Sequence, residues 1–247
     1  MIHDTHCHLD LYPDPYQVAS ATEKAKIKTI AVTNLPSAYF AAKPHMGRFR
    51  FLNLAIGLHP LLADHHSSRE KQLFRNALQE TRYIGEIGLD FSKHGVASKE
   101  KQLTSFRFVL NLLRNAKRFV TLHSRRAEST VLQMLTEYQI GPVVFHWYSG
   151  SLKTLDAIVN AGHYFSVNTA MIQSIHGKRI INHIPKQLML TETDGPFIKL
   201  SGNPVYPQHV QIIHDYVSQC WNKSVSEVTV QLSNNLESYL SKSQHVP

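Results

Sequence analysis

The stretch Tyr83-Ile84-Gly85-Glu86-Ile87-Gly88-Leu89-Asp90 decides how the rest of the chain reads. It has the length and composition of a buried strand, yet it carries a carboxylate, Glu86, where an unpaired charge is costly. A bound metal ion would remove that cost. Seven more runs of the same kind follow or precede it: Ile2 to His8, Thr29 to Thr33, Phe51 to Gly57, Phe119 to His123, Val143 to His146, Tyr164 to Val167 and Leu188 to Thr191. Between them lie stretches with apolar residues three or four apart, namely Tyr16 to Lys26, Arg69 to Glu80, Lys99 to Ala116, Ala127 to Tyr138 and Leu152 to Ala161. The isoleucines from Ile172 to Ile184 suffice for short helices, and Val210 to Cys220 and Val225 to Tyr239 can close an outer ring.

Strand alternating with helix is the pattern of a parallel sheet with helical crossovers. Eight such units in 247 residues, roughly thirty residues each, predict an α/β fold, a (β/α)₈ TIM barrel, with residues 1–247 as a single domain. The longest irregular stretch, Gly195 to Pro207, follows the last strand, where barrel enzymes place substrate loops. Ser241 to Pro247 reads as a frayed end.

Hydrophobic residues make up 43% of the chain and charged residues 18%, enough apolar material for a continuous core. The 26 basic and 18 acidic residues give a formal charge of +8, which suits a polyanionic partner as well as it suits simple solubility. Two cysteines, Cys7 and Cys220, fit a reducing compartment. No run approaches the ~20 apolar residues of a membrane span and no leader segment opens the chain, so a cytoplasmic protein without membrane contact is expected.

His6 and His8 are two apart at the end of the first run and should face the same side, with Cys7 turned toward the helices. Glu86, His123, His146 and Asp194 each fall at the carboxyl end of a predicted strand, the rim where barrel active sites gather. Four imidazoles and two carboxylates exceed the needs of one tetrahedral ion, which points to two divalent ions bridged by Glu86. Nitrogen-rich ligation favours zinc or manganese in the tighter position, and a wetter position accepts magnesium. His59, aimed by the turn at Pro60, and Arg125, two residues past His123, are candidates to contact substrate, Arg125 alternatively being a surface residue paired with an acid. Asp4 and Asp90 are candidates to orient a ligand histidine, and Trp147, Tyr148 and Phe197 are available either for base stacking or for the core.

The ordered set His-x-His, Gly-Leu-His-Pro, Gly-Glu-Ile-Gly-Leu-Asp, Leu-His-Ser-Arg, Phe-His-Trp-Tyr-Ser-Gly and Glu-Thr-Asp-Gly-Pro resembles the TatD-type deoxyribonucleases from residue 3 to about residue 240. The resemblance implies a metal-dependent hydrolase barrel acting on phosphodiester bonds, often as a 3′ to 5′ exonuclease on DNA. It implies one ion held by His6, His8, Glu86 and Asp194, another by Glu86, His123 and His146, and an accessory acid at Glu192. In place of the acid that family members usually carry after His-Ser-Arg, this chain has Arg126, and only Asn203-Pro204 remains of a usual Asn-Glu-Pro. These abbreviated features resemble members encoded in bacterial antiphage clusters, which would add partner proteins of a defence operon to a DNA substrate.

The expected mechanism is in-line attack by a water whose pKa the ions lower and whose proton Asp194 accepts, with His59 and Arg125 on the nonbridging oxygens. Single-stranded or frayed DNA ends are the expected substrate, because a barrel mouth admits a strand end more easily than a duplex. A two-ion site can also hydrolyse lactones, cyclic amides or phosphotriesters, but such enzymes often bridge their ions with a carboxylated lysine where this chain has Glu86. A third reading makes the protein a largely structural subunit of a defence complex.

Overall fold

The computed structural model describes residues 1–242. In chain order the elements are β1 (His3–Cys7), α1 (Pro15–Lys24), β2 (Lys28–Val32), α2 (Pro36–Met46), β3 (Leu52–Ala55), α3 (Ser68–Ala77), β4 (Tyr83–Gly88), α4 (Lys99–Leu113), β5 (Phe119–His123), α5 (Glu128–Glu137), β6 (Val144–His146), α6 (Leu152–Asn160), β7 (Tyr164–Val167), α7 (Thr169–Gln173), α8 (Ile175–His183), β8 (Met189–Thr191), β9 (Lys199–Leu200), β10 (Asn203–Pro204), α9 (Val210–Trp221) and α10 (Val225–Lys242). All eight expected strands are present. None of the described helices is long and apolar enough to cross a membrane.

The strands form two parallel arcs, β1-β2-β3 and β4-β5-β6-β7-β8, joined at two seams into a (β/α)₈ barrel. At the first seam Ile56 N–H donates to Tyr83 C=O (3.0 Å) and Gly85 N–H to Ile56 C=O (2.9 Å). One step further along, the ends of β2 and β4 meet directly: Thr33 N–H donates to Gly85 C=O and Glu86 N–H to Thr33 C=O, both at 3.1 Å. At the second seam Asp194 N–H donates to His6 C=O (2.9 Å) and His8 N–H to Gly195 C=O (2.8 Å), so the first and last strands zip together.

Side chains from β2 through β8 fill the interior in one layer: Ile30 and Val32, Ala55, Tyr83, Phe119, Val144, Tyr164 and Leu190. Leu236, Tyr239 and Leu240 of α10 close that layer from below. The Tyr239 hydroxyl accepts from Val120 N–H (2.9 Å) and donates to Pro142 C=O (2.9 Å), tying the closing helix to two strands. A larger apolar layer separates the strands from the helices, with Leu103, Phe106, Val109, Leu110 and Leu113 of α4 as one stripe of it.

Three expectations are corrected. The helix α2 had no counterpart in the sequence reading, because it holds Pro44 and buries only Pro36, Tyr39 and Met46, which leaves no continuous apolar stripe. The irregular stretch after β8 contains a two-stranded antiparallel ribbon, β9 with β10. Ser241 continues α10 to Lys242 rather than fraying, and the rest of that predicted end lies outside the described residues.

His163 sits between the α6 end and β7 at 3% exposure, and its Nδ1 accepts the Val143 N–H at 3.2 Å. Burial lowers its pKa from 6.5 to about 4, so the folded protein binds fewer protons there than the unfolded chain. Its contribution is therefore complete above pH 6.5 and is lost as the pH falls toward 4. Chemical denaturation across that window should show wild type losing more stability than His163→Gln, by up to about 3 kcal/mol. Parallel pH dependences would show that the ring does not titrate between the two states.

Candidate metal centre

Each histidine of the site arrives at the carboxyl end of its strand with one ring nitrogen turned outward and one turned in. His6 Nδ1 faces Thr121 Oγ1 (2.8 Å) and its Nε2 faces Glu86 Oε2 (3.3 Å). His123 Nε2 faces Asp90 Oδ2 (2.9 Å), leaving Nδ1 at 2.7 Å from Glu86 Oε1. His146 Nδ1 is 3.5 Å from Glu192 Oε1, and its Nε2 is 3.0 Å from Glu86 Oε1. His8 lies one residue beyond β1 rather than within it, and its Nε2 is 3.1 Å from Glu86 Oε2. For His6 and His123 an outward hydrogen bond fixes the tautomer and ring plane, which is how ligating histidines are prepared, whereas the Nδ1 atoms of His8 and His146 are buried without one.

The two oxygens of Glu86 divide these rings, with His6 and His8 on Oε2 and His123 and His146 on Oε1. Asp194 joins the first group, its Oδ1 lying 3.6 Å from His8 Nε2 and 4.0 Å from His6 Nε2. The left-handed backbone of Asp194 (φ 48°), held by its N–H on His6 C=O, aims the carboxylate inward. The structure thus brings all six expected residues to one mouth of the barrel.

The electrostatics follow from burial. Desolvation alone would raise the Glu86 pKa, but His59, His146 and His6 around it hold the carboxyl well below its ordinary value. Burial pushes Asp194 up to about 7 against the pull of His146 and His8. Burial also lowers His6 to about 3, helped by repulsion from His146. For His146, the attraction of Glu86 and Glu192 outweighs desolvation and raises it well above 6.5.

The donor set fits divalent ions. Asp194 Oδ1 is buried without a hydrogen-bond partner, an anionic oxygen that the protein alone does not satisfy. Among the described residues, three groups of side chains have ligand atoms within 4.8 Å of one another: His6, His8 and Glu86; His6, His146 and Glu192; and His59, Glu86 and His123. His59 belongs in the third by distance, with Nε2 3.3 Å from Glu86 Oε2, but its Nδ1 accepts the Leu61 N–H (3.2 Å). A neutral ring that accepts at Nδ1 carries its proton on Nε2, so in this tautomer His59 presents an N–H rather than a lone pair to Glu86.

Several supporting residues escaped the sequence reading. Thr121 lies on β5 two residues before His123, and that period-2 spacing is the one signal that could have placed it on the same face. Ser166 and Asn168 hold Glu192, Asn168 Nδ2 donating to Glu192 Oε1 at 2.8 Å and the Ser166 hydroxyl donating to Glu192 Oε2. Asp90 meets one of the candidate ligand histidines, His123. Asp4 does not; it accepts the backbone N–H groups of His6 (3.2 Å) and Thr193 (2.9 Å), so it braces the strand rather than a ring.

The cavity above Glu86 has a volume of about 370 Å³, with Arg125, Trp147 and Phe197 among its lining residues. Phe197 is 57% and Trp147 37% exposed, whereas Tyr148 is 1% exposed, packs on Phe145 and Phe165, and donates to Ser151 C=O; it is a core residue.

Known proteins resemble this chain along most of its length. The chain is 26% identical to human deoxyribonuclease TATDN3, over 98% of this chain and 96% of that one. It is 25% identical to an uncharacterized metal-dependent hydrolase of Methanocaldococcus jannaschii, over 91% of each. The crystal structure of YjjV, a TatD homolog from Escherichia coli, superposes with a TM-score of 0.86 over 100% of this chain and 98% of that one, at 24% identity, and so supports the fold. The family model described as TatD related DNase matches residues 3–241, and with it the metal-dependent barrel built here finds its place: the chain belongs to the TatD-related DNase family of metal-dependent hydrolases.

Proposed function

We propose that residues 1–247 form one catalytic domain that hydrolyses DNA phosphodiester bonds with two divalent ions, releasing nucleotides from single-stranded or frayed 3′ ends. The observation that carries this reading is the division of four imidazoles between the two oxygens of one buried carboxylate, beside an Asp194 oxygen with no partner. His6, His8 and Asp194 with Glu86 Oε2 would hold one ion, and His123 and His146 with Glu86 Oε1 the other. Bound there, the ions supply neutralisation of charge at phosphorus and a lowered pKa for the attacking water.

The protein's own groups do the rest. Asp194, which lines the cavity with an Oδ1 that has no hydrogen-bond partner, is positioned to accept the proton of the attacking water. His59 Nε2–H and the Arg125 guanidinium, which has no ion pair among the described residues, hold nonbridging phosphate oxygens and keep phosphorus in line. Phe197 and Trp147 offer exposed ring faces to the bases at the rim, where stacking tolerates any sequence. The +8 charge draws the polyanion in.

Incubation with end-labelled single-stranded and duplex DNA and with manganese, zinc or magnesium tests the reading. Ion-dependent nucleotide release should appear on the single strand first, stop with chelator, and fall at least about a hundredfold in Asp194→Asn. Release that persists unchanged in that variant, or no release with any of the three ions, would remove the assignment.

A further inference from the structure

Beside the metal cavity lies a second hollow of about 470 Å³, which shares Arg125 and Ser149 with it as a common wall. One side is the turn between β5 and α5 carrying Arg125 and Arg126; the other is the loop between β6 and α6 from Ser149 to Ser151. His176, in the first turn of α8, clamps that loop, its Nε2 lying 3.2 Å from Ser149 C=O and 3.1 Å from Gly150 C=O. The arginine turn is braced as well. Ala127 N–H donates to Ser124 C=O (2.8 Å), Phe91 N–H to Arg125 C=O (2.9 Å), and Arg126 takes a left-handed backbone (φ 56°) between them.

Neither guanidinium makes a hydrogen bond or ion pair among the described residues. The single acid on the wall, Glu128, accepts the Arg126 backbone N–H at 3.3 Å, so two cations face one carboxylate and the hollow keeps a net positive charge. A pair of unpaired guanidiniums on a rigid turn, continuous with the metal cavity, is suited to a second anion on the same molecule. A nucleic acid strand carries such anions at regular intervals along its chain.

We infer that this hollow is a second phosphate subsite, with Arg126 as its principal contact, which holds the phosphodiester next to the one being cleaved. The inference rests on the phosphodiesterase reading above and narrows it: good substrates carry at least two consecutive phosphodiesters. Glu128 sets an upper limit on the affinity of the subsite, because its carboxylate repels the same oxygens that Arg126 attracts.

Binding of a fluorescent oligothymidylate in chelator, followed by anisotropy, tests the subsite without catalysis. Arg126→Ala should raise Kd about tenfold and make the dependence of log K on log salt shallower by about 0.7, the loss of one single-strand phosphate contact. Arg126→Glu should weaken binding further, and Glu128→Gln should tighten it, a reversal of sign that a purely structural role for the turn would not produce. With divalent ion present, kcat/KM for the oligonucleotide relative to that for a reporter with one phosphodiester should fall about tenfold in Arg126→Ala, mostly through KM. Unchanged Kd and salt slope in both Arg126 variants, beside ion-dependent cleavage by wild type, overturn the subsite and leave the nuclease reading standing. Weakened binding in those variants, beside a wild type that cleaves no phosphodiester, overturns the nuclease reading and leaves the hollow as a polyanion site.

Discussion

Glu86→Ala is expected to purify without bound metal and to hydrolyse DNA at least about a thousandfold more slowly than wild type. The reason lies in the position of that carboxylate. The Nε2 atoms of His6, His8, His59 and His146 and the Nδ1 of His123 all stand within 3.3 Å of one of its two oxygens. Each of those rings is buried or nearly so, and with the carboxylate gone only the 3.5 Å contact of His146 Nε2 with His123 Nδ1 and the longer approaches of His8 (3.6 Å) and His6 (4.0 Å) to Asp194 Oδ1 remain among the described residues. Removing one partner of a buried ionic network leaves the others desolvated and unpaired, at a cost of about 3–5 kcal/mol. Glu86→Asp keeps the charge but withdraws it by one methylene, so it should retain some metal at reduced affinity. Elemental analysis of the dialysed proteins, with circular dichroism as a check on the fold, decides the matter; wild-type metal content in Glu86→Ala would show that Glu86 is not the shared ligand.

Gly57→Ala should be among the most damaging single substitutions in the chain although it adds one carbon. A Cβ at Gly57 would lie 1.7 Å from the Thr33 carbonyl oxygen and 2.6 Å from the Glu86 amide nitrogen. Both contacts are backbone, which cannot rotate away, and both belong to the junction of β2 with β4 that positions Glu86. The predicted loss exceeds about 4 kcal/mol, or roughly 10 °C in Tm for a chain of this size, and metal affinity should fall with it. Gly162→Ala is the control: its Cβ meets nothing within 4 Å, and only its φ of +79° is unfavourable. The cost there is about 1 kcal/mol. Equal thermal stability of the two variants would mean that the junction yields more readily than its geometry implies.

The strands were legible because a parallel barrel buries both faces of each one, so their apolar runs stand out from the amphipathic helices between them. The six candidate ligands were legible for a related reason: a charged or imidazole side chain closing an apolar run has few uses other than a site. What escaped depended on packing between distant segments. Thr121, Ser166 and Asn168 are ordinary polar residues until Glu192 and His6 are folded against them. The direct approach of His59 to Glu86 follows from β2 meeting β4 past the end of β3, a displacement that no local pattern encodes. Tyr148 looked as available as its neighbour Trp147, and only the rings of Phe145 and Phe165 show that it points into the core.

The second seam has an outcome for the making of the protein. His6 and His8 close the first strand, while the segment that zips onto them, Asp194 with Gly195, follows the last one. Until that late segment arrives, β1 lacks one of its two neighbours and the carboxylate of Asp194 is missing from the cluster. A chain folded only through its earlier strands therefore carries its imidazoles in an unclosed arc, and the candidate metal cluster is complete only once the barrel closes.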